Sequence, residues 1–131
     1  MANRWFNQFG KTLEKEVVHL FGNAAIGATG APTLDSSNDS KGVSTLVRNS
    51  AGNYTLTLQD PYYKFLDFSV VFENGGTLAA APVVDLQTIS VGTSTGGTVR
   101  FVCRNYSGTA TDPDNGSTMY FHLVVGNSSA Y

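Results

Sequence analysis

The chain has 131 residues, 41% of them hydrophobic and only 14% charged, with a formal net charge of −2. That length holds one domain with a buried core, and the apolar content excludes intrinsic disorder. With eight Lys and Arg in all and no basic cluster, the chain lacks the footprint of a nucleic-acid binder. A single Cys excludes an intrachain disulfide, and no apolar run approaches the roughly 18 residues of a membrane-spanning helix.

The amino-terminal stretch is unlike the rest. RWFNQF, residues 4–9, carries the only tryptophan, Trp5, with Phe6 and Phe9 beside it. Its first residues lack the apolar run of a secretory leader, so synthesis in a reducing cytoplasm is expected. Leu13, Val17 and Leu20 have helical spacing, and Gly22 would close such a helix. Val17, His19 and Phe21 also alternate with Val18 and Leu20, and the β-branched pair with Phe favours a strand. Residues 22–42 are rich in Gly, Ala and Ser and read as an extended strand end followed by a flexible linker. The expected organisation is thus an amino-terminal arm and linker, 1–42, part of which can join the sheet, and a β core domain, 43–131.

From residue 43 the period-2 signal dominates. GVSTLVR (42–48) is a weak strand. NYTLTL puts Tyr54, Leu56 and Leu58 on one face. FLDFSVVFE puts Leu66, Phe68, Val70 and Phe72 on one face, and Phe65, Asp67, Ser69, Val71 and Glu73 on the other. VVDLQTISV sets Val83, Asp85, Gln87, Ile89 and Val91 against Val84, Leu86, Thr88 and Ser90. TVRFVCRNY sets Val99, Phe101 and Cys103 against Arg100, Val102, Arg104 and Tyr106. TMYFHLVV sets Met119, Phe121, Leu123 and Val125 against Tyr120, His122 and Val124. NSAGN, QDP, ENGG, TSTGG and DPDNG punctuate these runs, and the first and fourth predict hairpins. No sequence period repeats, which excludes a solenoid or propeller. The expected fold is all-β: a single compact β-sandwich or jelly-roll-like barrel with an extended amino-terminal arm.

Catalytic constellations are not found. By parity Cys103 faces the core and His122 faces outward, while His19 is assigned to the arm, so no Cys–His nucleophile is expected. Asp112, Asp114 and Asn115 resemble the start of a calcium loop, but its twelfth position is Leu123 rather than Glu, so DPDNG reads as a polar turn. No metal, cofactor or enzymatic activity is expected. Charge is low against about 25% in ordinary domains, and Phe65, Val71, Val102 and Val124 would face outward, so self-association is expected. Arg100, Arg104 and Tyr106 share a face and form a candidate interface stripe, since Arg and Tyr are favoured at hot spots.

RWFNQF (4–9), EKEVVHLFG (14–22), GNYTLTLQDPYYKFLDFSVVF (52–72) and NGSTMYFHLVVGNSSAY (115–131) together resemble small structural proteins of tailed bacteriophages, the virion structural and capsid decoration (cement) proteins. The resemblance covers most of the chain. It implies a non-enzymatic protein made in the host cytoplasm that binds the outside of an assembled head and bridges major capsid protein subunits. It also implies Trp5, Phe6 and Phe9 as anchors, with Arg4 adding hydrogen bonds. The expected partners are the major capsid protein and the chain itself, as a homotrimer, with no nucleic acid and no membrane. The alternatives are another phage part, such as a head fibre base or tail protein, and a carbohydrate-binding β module using Tyr62, Tyr63, Tyr106 and Tyr120.

Overall fold

A computed structural model of the chain describes residues 17–35, 40–73, 75, 83–92 and 96–126. Eight strands follow one another: β1 (Val17–Ile26), β2 (Pro32–Leu34), β3 (Val43–Ser50), β4 (Asn53–Leu58), β5 (Lys64–Glu73), β6 (Val83–Ser90), β7 (Thr98–Arg104) and β8 (Thr118–Gly126). They form two four-stranded antiparallel sheets, a front sheet in the order β2-β1-β8-β5 and a back sheet in the order β3-β4-β7-β6. This is a β-sandwich, as expected. A jelly roll is not formed: there nearly every connection passes between sheets, whereas β1–β2, β3–β4 and β6–β7 are hairpins within one sheet. NSAGN holds the turn of the β3–β4 hairpin, while residues 93–95 of TSTGG lie outside the described residues.

The core lies between the inner strands. Leu20, Ala24 and Ile26 of β1 and Met119, Phe121, Leu123 and Val125 of β8 face Tyr54, Leu56 and Leu58 of β4 and Val99, Phe101 and Cys103 of β7, all buried. Each Leu, Val or Phe so removed from water contributes roughly 1.5–3 kcal/mol. Alternation sends the residues between them outward, which is why these four strands follow the parity of the sequence.

Four register shifts interrupt the strands elsewhere; one, between Arg48 and Ser50, lies at the end of β3 beside its turn, and the other three are bulges that reset the parity. In β5, Phe65 pairs with Val125 and Asp67 with Val124, so Leu66 is the extra residue. Phe65 thereby turns toward the core beside Phe68, Val70 and Phe72, and Leu66 turns out, the reverse of the sequence assignment. In β6, Leu86 pairs with Phe101 and Ile89 with Val99, with one extra residue between them. Val84, Leu86 and Ile89 therefore share the core-facing side that simple alternation divides. The third bulge lies between Val43 and Thr45 in β3 and puts Val43 and Leu46 inside together. An extra residue opposite one partner resets the period, and composition alone does not reveal it. Of the four residues expected to face outward, Val71 is exposed and Val124 half-buried, Phe65 packs on the core, and Val102 is only 1% exposed. Val102 lies opposite Asp85, whose carboxylate takes a 2.7 Å hydrogen bond from the Arg104 guanidinium on the same face.

β1 is an inner strand, paired with β8 from Val17–Gly126 to Ala25–Thr118. β1 and β2 therefore belong to the sandwich, and they are the part of 1–42 that joins the sheet. The Gly- and Ala-rich composition that reads as linker has a packing reason. Gly22 lies opposite Phe121, and a β-carbon there would collide with the Phe121 ring. Gly22→Ala is expected to destabilise the fold by about 1–3 kcal/mol, the usual cost of overpacking, read as a lower urea midpoint with unchanged slope.

Candidate docking face

The outer side of the front sheet is built by the residues between the core positions of β1, β8 and β5. The register sets them in rows: His19–Val124–Asp67, Phe21–His122–Ser69, Asn23–Tyr120–Val71 and Ala25–Thr118–Glu73. Large groups stand here in water. Phe21 is 58%, Val71 66% and Tyr120 45% exposed. Phe21 and His122 stack with ring centroids 4.4 Å apart and planes 4° from parallel, and His19 lies 5.2 Å from His122 by centroid. His19 Nδ1 and His122 Nε2 are 2.9 Å apart, so one ring donates to the other. The Tyr120 hydroxyl donates to Glu73 at 3.1 Å. A groove of about 590 Å³ opens beside Phe21, edged by His19, Asn23, Lys41 and Tyr120.

An apolar and aromatic centre ringed by Asn23, Lys41, Asp67, Ser69 and Glu73 has the layout of a protein-binding patch. The rings are held before any partner arrives, because the stacked pair rides on two adjacent inner strands. Sequence reading placed His19 in an arm and did not single out Phe21. The signal was present in VVHLFGNAAI: Phe21 shares parity with His19, while the small residues Gly22 and Ala24 share parity with Leu20.

The residues singled out from sequence lie elsewhere. Arg4, Trp5, Phe6 and Phe9 lie outside the described residues. Arg100 is exposed on the outer side of the back sheet, opposite Thr55 and Thr88. Arg104 is engaged within the chain: its Nε donates to Asp85 and its Nη1 to the Gly108 carbonyl at 2.9 Å. Tyr106 is exposed but sits in the turn after β7, not on the strand. The structure thus does not gather Arg100, Arg104 and Tyr106 on one strand face. Of the tyrosines considered for sugar stacking, Tyr62 is buried, Tyr63 and Tyr106 are on separate loops, and Tyr120 alone joins the docking face.

Cys103 is fully buried on the core side of β7, whereas His19 and His122 stand on the outer side of the opposite sheet, so they form no dyad. Burial pushes the Cys103 thiol up to about 12, with the charge of Asp112 adding to it. The native protein is expected not to react with a thiol reagent such as DTNB at pH 8 and to react at once in guanidinium. In DPDNG, Asp112 accepts from Arg48, and Gly116 takes a positive φ in a turn closed by Ser117 N–H on the Asp114 carbonyl, 3.1 Å. Among the described residues no three His, Cys, Asp or Glu side chains gather as metal ligands. Compared with protein-family models, with curated proteins and with solved structures, the chain matches none.

Proposed function

We propose that this chain is a structural interaction protein, a tailed-phage head decoration (cement) protein that binds the outside of the capsid shell and bridges major capsid subunits as a homotrimer. The observation that carries the reading is the docking face, where Phe21, Val71 and Tyr120 are displayed on a rigid sheet within a polar rim. The likeness of RWFNQF, GNYTLTLQDPYYKFLDFSVVF and NGSTMYFHLVVGNSSAY to decoration proteins supports the choice of partner. Shells offer threefold positions that a closed cyclic trimer matches, and three modest contacts made together hold far more firmly than one.

The test is to add purified protein to decoration-free expanded heads and to count bound copies by sedimentation and cryo-electron microscopy. Hundreds of copies per head are expected, and a dozen or fewer would assign the chain to a tail or portal-proximal part instead. Absence of binding would overturn the reading. Light scattering is expected to give three times the 13.9 kDa chain mass at micromolar concentration. The groove beside Phe21 favours a second reading, a carbohydrate-binding module, because an aromatic ring flanked by Asn23, Lys41 and His19 offers both stacking and hydrogen bonds. Saturable binding on a glycan array, abolished by Phe21→Ala, would select it.

A further inference from the structure

The front sheet brings the only two histidines of the chain together, although 103 residues separate them. They stand diagonally across two adjacent strands: His19 of β1 lies opposite Val124, and His122 of β8 lies opposite Phe21. His19 Nδ1 and His122 Nε2 are 2.9 Å apart, and the ring planes are 11° from parallel. Neither ring belongs to the core, since His19 is exposed and His122 half-buried on the outer side of the sheet. That separation is the one a single metal ion asks of two neighbouring ligands. Imidazole nitrogens bind divalent transition ions at about 2.0–2.1 Å, and two such bonds at a right angle put their nitrogens about 2.9 Å apart. A tetrahedral angle would need about 3.3 Å. Right-angled neighbours belong to the tetragonal coordination of Cu²⁺ and Ni²⁺, ions that imidazole suits as a donor.

We propose that His19 and His122 chelate one divalent transition ion of this class through Nδ1 and Nε2. In the metal-free pair the two nitrogens share a proton. On binding, that proton moves to the far nitrogen of its own ring, so both rings stay neutral and both lone pairs are free. Each ring then turns about its bond to Cβ to aim at the common ion, on a face open to solvent. The backbone holds the bite. β1 and β8 are inner strands paired from Val17–Gly126 to Ala25–Thr118, so the ion does not have to bring the two side chains together. The second nitrogen therefore acts at a high effective concentration once the first has bound. Among the described residues, the outer rows and the groove edge carry Asp67, Glu73, Lys41 and Lys64, two charges of each sign, so no excess of positive charge repels a cation. The remaining coordination positions face away from the sheet and take water. The inference does not depend on the decoration reading.

The presence of two histidines and no more makes the test direct. The untagged full chain is titrated at neutral pH with NiCl2 and with CuCl2 and followed by calorimetry. One ion per chain is expected, bound about 30-fold or more tightly than by His19→Ala or His122→Ala, each of which leaves a single imidazole without its chelating partner. Pulsed electron paramagnetic resonance of the Cu²⁺-loaded unmodified chain is expected to show two coordinated imidazoles. That second measurement decides the matter without the variants, should either fail to fold by circular dichroism. Failure to saturate below millimolar metal would overturn the inference, as would one ion held between two chains or a single coordinated imidazole. A folded single variant that binds as tightly as the unmodified chain would place the ion elsewhere and overturn it too.

Discussion

Asp112→Ala is expected to lower stability by about 2–3 kcal/mol, the cost of leaving buried and half-buried donors without their acceptor, and melting should fall by roughly 10 °C. Asp112 sits where three parts of the chain meet. Its Oδ1 accepts from Arg48 Nε at 2.9 Å and from the Gly52 N–H at 2.8 Å, and its Oδ2 accepts from Arg48 Nη2 at 2.7 Å. The β3–β4 hairpin is thereby tied to the strand-free segment ahead of β8. The buried Tyr54 hydroxyl lies 3.3 Å from the same oxygen, but its one proton has a shorter path to the Gly30 carbonyl at 2.8 Å. Gly30 is held at φ 76° and a β-carbon there would collide with Asp112, so the turn after β1 is built around this carboxylate as well.

The same cluster sets a pH dependence. The hydrogen bonds from Arg48 hold the Asp112 carboxyl below its ordinary value, with the Gly52 N–H adding to them against the opposing effect of burial. A carboxylate depressed in the folded state contributes stability in full above the unfolded value, near pH 4. That contribution is lost as pH falls through the folded value. The melting temperature is therefore expected to decline from about pH 5 downward, and Asp112→Asn is expected to flatten that decline. A variant whose acid limb matches that of the unmodified protein would show that other carboxylates set it.

Under the proposed decoration role, Phe21→Ala is expected to reduce binding to heads by about 30-fold or more while changing stability by only about 0.5–1 kcal/mol. Phe21 is more exposed than Tyr120 on the same face, and its ring stacks on His122 and, at longer range, on His19. Its removal therefore costs the fold little and the interface its central aromatic. Val71→Asp, two strands away on the same face, is expected to act in the same direction by setting a charge beside Tyr120. Arg100→Ala, on the outer side of the back sheet, is expected to leave head binding unchanged. The reverse pattern, with Arg100 sensitive and Phe21 silent, would move the interface to the other sheet. Cosedimentation of each variant with heads, with circular dichroism as the folding control, measures all three.

The strands that alternate without interruption were legible in the sequence. β4, β7 and β8 carry buried Tyr54, Leu56, Leu58, Val99, Phe101, Cys103, Met119, Phe121, Leu123 and Val125 where period 2 puts them, because both neighbours of each strand hold it in register. The edge strands β5 and β6 were not legible in the same way. A bulge at Leu66 and another between Leu86 and Thr88 exchange the two faces partway along, and a bulge is a property of the pairing, not of the residues. β1 was only partly legible: Val17–Phe21 suits helical and strand spacing alike, and Gly22 and Ala24, which lie between Leu20 and Ile26 on the core side, signal a linker until Phe121 is seen to occupy the space above Gly22.

The sequence by itself determined the class of the fold, the identity of the inner-strand core and the outward placement of His122, all consequences of short-range alternation. Tertiary structure alone decided the docking face, since Phe21 and His122 are a hundred residues apart in the chain and become neighbours only through the pairing of β1 with β8. It also decided that Arg104 is spent on Asp85 and that Arg48 grips Asp112. Each of these rests on contacts between segments remote in sequence, and no local periodicity encodes which strands will lie side by side.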